Sequence, residues 1–240
     1  MNILVVNDDG IKAPGVERLA AVAKKFGKVT VVAPVKQCSA MSALITIAGK
    51  IEVKKEVFPI SDIDAYSVDG SPVDCVKVAM EYIGIKPDVV FSGINKGLNA
   101  GVEISYSGTV AAAMEALMKG VPAMAFSVGW EENYGTVDAH LPEIVKELLE
   151  TPISKAEIWN VNFPSCPKEE CKGILRDRVP ATAGMYPDSY RCVEKSGNRM
   201  VIEPDSRPIS EEKEGTDLGA LFSGYISIGK LKNVILEHLI

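Results

Sequence analysis

The sequence predicts an α/β fold, a Rossmann-like, doubly wound, mostly parallel sheet with a small β-rich extension and a C-terminal arm. Three observations predict it. Short β-branched apolar runs alternate with stretches of helical apolar spacing; the runs are apolar on both faces, as buried parallel strands are; and several of them end abruptly in polar loops. With 240 residues, 47% hydrophobic and 24% charged, the chain has material for one large core with a small appendage. In open sheets of this kind ligands bind beyond the carboxyl ends of the strands, so the loops there carry the functional signal.

Residues 2–6 are too short for a helix and rich in Ile, Leu and Val, and they deliver Asp8 and Asp9 to the strand's carboxyl end, followed by Gly10. Two adjacent carboxylates in the low dielectric of a sheet edge repel, so one takes up a proton or both face a cation. A solvated turn opening a helix is the alternative. Pro14 and Gly15 lead into Val16, Leu19, Ala20, Val22, Ala23 and Phe26, a helical spacing closed by Gly27, and residues 28–34 read as a second buried strand. The next loop, Gln37-Cys38-Ser39-Ala40-Met41-Ser42, falls at the same sheet edge as the acids.

Residues 44–69 read as β structure, with Ile45, Ile47, Ile51 and Val53 alternating and Phe58-Pro59 interrupting. A helix start follows: Ser71 is the predicted N-cap, Pro72 suits the first helical position, and Asp74 meets the positive end of the dipole, with Val73, Val76, Met80 and Ile83 on one face. Residues 87–93 form a strand that opens into the polar loop 92–109. Its glycines let backbone N–H groups approach an anion, and Ser107 or Thr109 stands where the next helix begins, at unpaired donors. Val110, Ala113, Met114 and Leu117 give that helix its stripe. A strand over 121–128, a helix face of Leu141, Ile144, Val145 and Leu148, and a strand over 157–163 complete the alternation, which stops near Pro164. The expected division is therefore a core with the active site over 1–164, a β-rich extension or arm over 165–215, and a C-terminal segment over 216–240, in oligomer contacts, holding a capped short helix, a strand and a last apolar helix.

A net charge of -6 excludes a general binder of nucleic-acid polymers but permits a small phosphorylated ligand. Five cysteines without paired CxxC spacing read as free thiols, and no signal peptide or membrane-length apolar run is present, so a cytoplasmic protein without membrane contact is expected. Asp8, Asp9, Ser39 and Asn95 offer only oxygen donors, which suits Mg²⁺ or Mn²⁺, or Ca²⁺, rather than structural zinc. Beside a phosphate cradle, such a metal is the equipment for phosphate-ester hydrolysis. Covalent aspartyl schemes fit worse. Asn7 stands where an Asp-x-Asp nucleophile would be, Asp88 precedes its strand, and no GxxxxGK[ST] loop exists. His140 and His238 lie on helical segments away from the polar loops, and Trp130 and Trp159 read as packing residues rather than base-stacking platforms.

These blocks resemble the SurE family of stationary-phase survival proteins along nearly the whole chain: NDDG with APG, VVAP with the Gln37-to-Ser39 loop, GSPVDCVK at 70–77, SGINKGLNAG and YSGTVAAAMEA through 116, Val161-Asn162 with Pro164, then GTDLGAL and GYISI. The resemblance implies a 5′-nucleotidase that hydrolyses nucleoside 5′- and 3′-monophosphates, with short polyphosphate cleaved by some members, and a homodimer or homotetramer. It implies one divalent ion per subunit on Asp8, Asp9, Ser39 and Asn95, and phosphate binding at Asn99, Ser105, Ser107, Gly108 and Thr109. The expected catalytic set is Asp8 or Asp9 accepting a proton from water, with Asn99, Ser107 and Thr109 steadying the phosphoryl oxygens. Relatives often carry a His just after the Ser39 position, where this chain has Ala40-Met41-Ser42-Ala43, and Cys38 replaces a more usual polar residue. A competing reading is a nonenzymatic nucleotide or metal sensor acting through the C-terminal arm.

Overall fold

The computed structural model describes residues 1–131, 133–185, 189–205 and 214–238. In chain order the elements are β1 (Asn2–Val6), α1 (Pro14–Ala23), β2 (Lys28–Pro34), β3 (Val53–Glu56), β4 (Asp64–Val68), α2 (Pro72–Lys77), β5 (Val89–Lys96), α3 (Gly108–Met118), β6 (Ala123–Val128), α4 (Gly135–Glu150), β7 (Glu157–Phe163), β8 (Ile174–Arg178), β9 (Tyr190–Ser196), β10 (Arg199–Pro204), α5 (Asp217–Phe222), β11 (Ile226–Lys232) and α6 (Val234–Glu237). A 3₁₀ turn, Gly101–Tyr106, precedes α3.

Nine strands form one sheet in the order β3-β4-β2-β1-β5-β6-β7-β11-β8, parallel from β4 to β7 with antiparallel pairings at β3 and β11. Alternate residues of β1 feed opposite faces. Ile3 and Val5 pack with Val16 and Leu19 of α1 and Leu141 and Ile144 of α4. Leu4 and Val6 pack with Val76 of α2 and Val110, Ala113 and Leu117 of α3. Burying each large aliphatic side chain in this way contributes about 1.5–3 kcal/mol, so the doubly wound layers are the stable solution for strands apolar on both sides. The chain runs from β1 outward through β2 and then returns to β5 on β1's other side, so the strand order reverses between β1 and β5. That reversal is where such sheets open a crevice.

Local rules hold where predicted. Ser71 forms a full capping box with Asp74, its hydroxyl accepting from Asp74 N and the Asp74 carboxylate accepting from Ser71 N at 3.0 Å. Two expectations need correction. Residues 44–52 form no strand, and Leu44, Ile45 and Ile47 are exposed; the edge beside β4 is taken by β3 alone, and Thr46 is instead bonded through N and Oγ1 to Asp74 at 2.9 and 2.8 Å. Alternation without a pairing partner does not make a strand. The strand expected to end at Gly93 runs on to Lys96, pairing Asn95 and Lys96 with Ser127 and Val128 after a bulge.

The weak alternation near residues 190–202 is an antiparallel ribbon of β9 and β10, exposed along most of its length, while β11 joins the main sheet between β7 and β8. Residues 186–188 and 206–213 of the expected extension lie outside the described residues. Among the described residues no helix is long and apolar enough to cross a membrane.

Candidate active site

The strand reversal sets Asp8 and Asp9, after β1, beside Asn95 at the end of β5. Asp8 is only 2% exposed. Its Oδ1 accepts the Thr109 hydroxyl at 2.6 Å, and Ser92 Oγ in turn donates to the Thr109 carbonyl at 2.7 Å. The first turn of α3 approaches so closely that a Cβ on Gly108 would lie 3.2 Å from Asp8 Cβ, which explains glycine there. Burial, and secondly the charge of Asp9, push the Asp8 carboxyl from 3.8 up to about 7, against the pull of the Thr109 hydroxyl and amide bonds.

Asp9 is half-buried. Its Oδ2 accepts from Lys96 N at 2.8 Å, and Gln37 Nε2 reaches its Oδ1 at 3.4 Å. The same Gln37 amide donates to Ser39 Oγ at 2.9 Å, and Cys38 N donates to the Asp8 carbonyl at 2.7 Å, so the loop after β2 is tied to both acids. The bulge between Ser92 and Asn95 re-aims Asn95, whose Nδ2 donates to the Gly97 carbonyl at 2.7 Å and so leaves Oδ1 as the outward acceptor.

One cavity of about 520 Å³ gathers most of these groups. Asp8, Ser39, Asn95, Asn99 and Ser107, with Lys96 and Glu103, give it polar lining. Leu98, Val102, Tyr106, Trp130 and Met185 give it apolar surface. Asp9 faces an adjoining groove with Gln37 and Lys96. Ser107 is the N-cap of α3, its Oγ accepting from Val110 N, so its own proton remains available to an anionic oxygen. The remaining expected positions fall elsewhere. Thr109 is fully buried behind Asp8 and serves that carboxylate rather than facing the cavity, and Ser105 lines a separate groove along α3. Ser105 still matters locally, since its carbonyl accepts Ser42 Oγ at 2.9 Å while Ser42 N donates to the Tyr106 carbonyl, joining the Ser39 loop to the 3₁₀ turn.

Sequence reasoning missed the residues that hold Asn99. Its N–H donates to Asn162 Oδ1 at 2.7 Å, its carbonyl accepts from Asn160 and Asn162 Nδ2 at 2.9 and 3.0 Å, and its Nδ2 donates to Ser127 Oγ at 2.6 Å. The signal was two asparagines at i and i+2 in an otherwise apolar strand, hence on one face. Trp130 also departs from expectation: it is 48% exposed, lines the cavity, and stands where a Cβ on Gly97 would lie 3.1 Å from its ring. Trp159 is buried, with Lys230 Nζ 4.9 Å from its ring centroid. Neither histidine lines the cavity.

The described residues contain no cluster of three or more His, Cys, Asp or Glu side chains that could hold a metal. Asp8, Asp9, Ser39 and Asn95 form a different donor set, two carboxylates, a hydroxyl and an amide, which is the chemistry of a hard divalent cation. The test of fit lies in Asp8: burial and the neighbouring negative charge of Asp9 oppose its ionisation. A divalent ion would relieve that imbalance, so these residues fit one.

Fold and site together define the class: a doubly wound α/β protein with a carboxylate-bearing cavity at its topological switch point. Its sequence matches the model of the Survival protein SurE family over residues 3–182, and the chain belongs to that family. It is 37% identical over 231 residues to the 5′-nucleotidase SurE of Flavobacterium psychrophilum, covering 94% of this chain and 89% of that one. To the 5′-nucleotidase SurE of Clostridium botulinum strain Loch Maree it is 39% identical over 238 residues, covering 96% and 92%. The crystal structure of the SurE protein from Aquifex aeolicus superposes with a TM-score of 0.83 at 32% identity, covering 100% of this chain and 98% of that one.

Proposed function

We propose that this chain is a metal-dependent phosphomonoesterase that hydrolyses nucleoside 5′- and 3′-monophosphates to nucleoside and phosphate, with short polyphosphate as a further substrate. One observation carries the reading. A single cavity is lined both by oxygen donors, with the N-cap residue Ser107 of α3 among them, and by apolar and aromatic surface that includes Tyr106 and Trp130, the two kinds of surface that a nucleotide needs. Relatives named 5′-nucleotidase support it, and no observation favours a sensor acting through the C-terminal arm.

Asp8, Asp9, Ser39 and Asn95 would hold one divalent ion, Mg²⁺ or Mn²⁺, or Ca²⁺. When bound, it would supply charge neutralisation and a lowered pKa for water. The chain's own groups do the rest. Ser107 and the Gly108 N–H at the start of α3 bind phosphoryl oxygens, Asn99 is fixed from β6 and β7 beside them, and Thr109 holds Asp8 in one orientation. Asp8 or Asp9 takes the proton of the attacking water. The aromatic surface binds the base and thereby orients the ester.

The protein acts in the cytoplasm as a homodimer or homotetramer, a reading supported by exposed Val193, Met200 and Ile202 on the ribbon. Phosphate release from a panel of nucleoside 5′- and 3′-monophosphates and tripolyphosphate, each with several divalent ions, tests the function. Release from nucleotides only when metal is present is expected; release from none of them contradicts it.

A further inference from the structure

The apolar wall of the cavity has its own small core, separate from the two that flank the sheet, built from Ala100, Ala181, Met185, Leu218 and Leu221. One carboxylate sits within it. Asp217, 4% exposed, accepts from Ala181 N at 2.9 Å and Leu218 N at 2.8 Å through Oδ1, and from Gly101 N at 2.9 Å through Oδ2. Gly101 opens the 3₁₀ turn that carries Val102 and Tyr106 to the cavity, and Ala181 leads to Gly184 and Met185 on the same wall.

The two segments meet closely, and the Val102 N–H donates to the Ala183 carbonyl across the joint at 3.4 Å. Gly101 has φ +60°, and a Cβ there would lie 2.4 Å from the Ala183 carbonyl oxygen, while a Cβ on Gly184 would lie 2.5 Å from Glu103 Oε1. One long hydrogen bond crosses the joint directly, and three shorter ones reach it through Asp217. The Asp217 carboxylate spans them and is the group whose two oxygens reach both segments. A buried carboxylate in a fold held by apolar packing is costly unless its backbone bonds fix something.

We propose that Asp217 is a positioning residue for base recognition: by bonding Gly101 and Ala181 at once, it sets the wall that carries Tyr106 and Met185 against the nucleobase. It touches neither phosphate nor metal ligands, so its effect is confined to substrates with a base. This rests on reading the apolar surface of the cavity as the base site.

In Asp217→Asn one oxygen is retained for Ala181 and Leu218, while the amide nitrogen faces the Gly101 N–H, donor against donor, and releases the 3₁₀ turn. With the variant and the wild type, kcat and KM are measured for adenosine 5′-monophosphate and for glycerol 2-phosphate, which has no base. KM for the nucleotide should rise about ten-fold, the equivalent of one lost buried hydrogen bond, with kcat and all glycerol 2-phosphate parameters within about two-fold. Equal losses on both substrates, or no change on either, would overturn the proposal. Should Asp217→Asn fail to fold, Gly101→Ala strains the same joint from the other side; the same selective rise supports the proposal and an unselective change refutes it. Trp130→Ala separates the two readings. If it leaves the ratio of kcat/KM for nucleotide over glycerol 2-phosphate unchanged, the base site itself is wrongly placed, whatever Asp217→Asn shows.

Discussion

Replacing Asp8 by Asn separates the electrostatic burden of this residue from its role as a ligand. In the metal-free chain the folded carboxyl titrates at about 7 against 3.8, so its proton is held more tightly in the folded state. Stability from that proton is fully present below pH 3.8 and is lost as pH rises through 7. With one pKa unit worth 1.36 kcal/mol, the loss grows from about 0.5 kcal/mol at pH 4 to about 4 kcal/mol at pH 8, an order-of-magnitude figure. Asparagine keeps an acceptor for the Thr109 hydroxyl and carries no charge, so it escapes this loss. Thermal unfolding in chelator should find Asp8→Asn more stable than the wild type by about 10 °C at pH 8, with the gap nearly closed at pH 4. Saturating Mn²⁺ should reverse the order at pH 8, because only the wild type retains the charged carboxylate ligand. A variant no more stable than the wild type in chelator at pH 8, or a gap independent of pH, would refute the reasoning.

The remaining predictions concern neighbours of that carboxylate. Thr109→Val removes the 2.6 Å bond to Asp8, which favours the charged carboxylate against burial and the charge of Asp9; Mn²⁺ affinity at pH 7 by calorimetry should fall about ten-fold with the fold unchanged. Asn162→Ala frees the Asn99 N–H and one bond to its carbonyl, and kcat for a nucleoside monophosphate should drop at least about ten-fold while Mn²⁺ affinity stays near the wild-type value. Ser71→Ala breaks the capping box of α2 and should cost about 1 kcal/mol in urea unfolding, with no change in metal affinity.

What could be read from the sequence was whatever local chemistry decides. Asp8 and Asp9 follow an apolar strand, Ser71 announces its helix by capping, Ser107 or Thr109 marks the start of the next, and Gln37 to Ser39 close a strand at the same edge; these placements need no knowledge of distant segments. Thr109 illustrates the limit. Its position at a helix start invited a role toward phosphate, but which side of the first turn faces the cavity depends on how closely α3 meets β1, and Gly108 brings it so close that the hydroxyl lands on Asp8. Trp130 reads as packing in the sequence, and its place at the cavity follows from the end of β6 lying beside Gly97, whose N–H donates to the Val128 carbonyl at 2.8 Å. Residues 44–52 alternate as a strand would, yet the sheet edge they needed was already taken by β3. The wall of Tyr106 and Met185 was the least legible part, since Gly101, Ala181 and Asp217 meet across more than a hundred residues of chain.

The central claim is that the oxygen donors at the β1 and β5 edge hold a divalent ion on which phosphate-ester hydrolysis depends. Its most direct test pairs Asp9→Asn with the wild type, following phosphate release from adenosine 5′-monophosphate in chelator and then across a Mn²⁺ titration. The wild type should be inactive in chelator and recover fully with metal, while Asp9→Asn, folded as judged by circular dichroism, recovers less than about one hundredth of that activity. Wild-type turnover that persists in chelator, or near-normal turnover by Asp9→Asn at saturating Mn²⁺, would contradict the account.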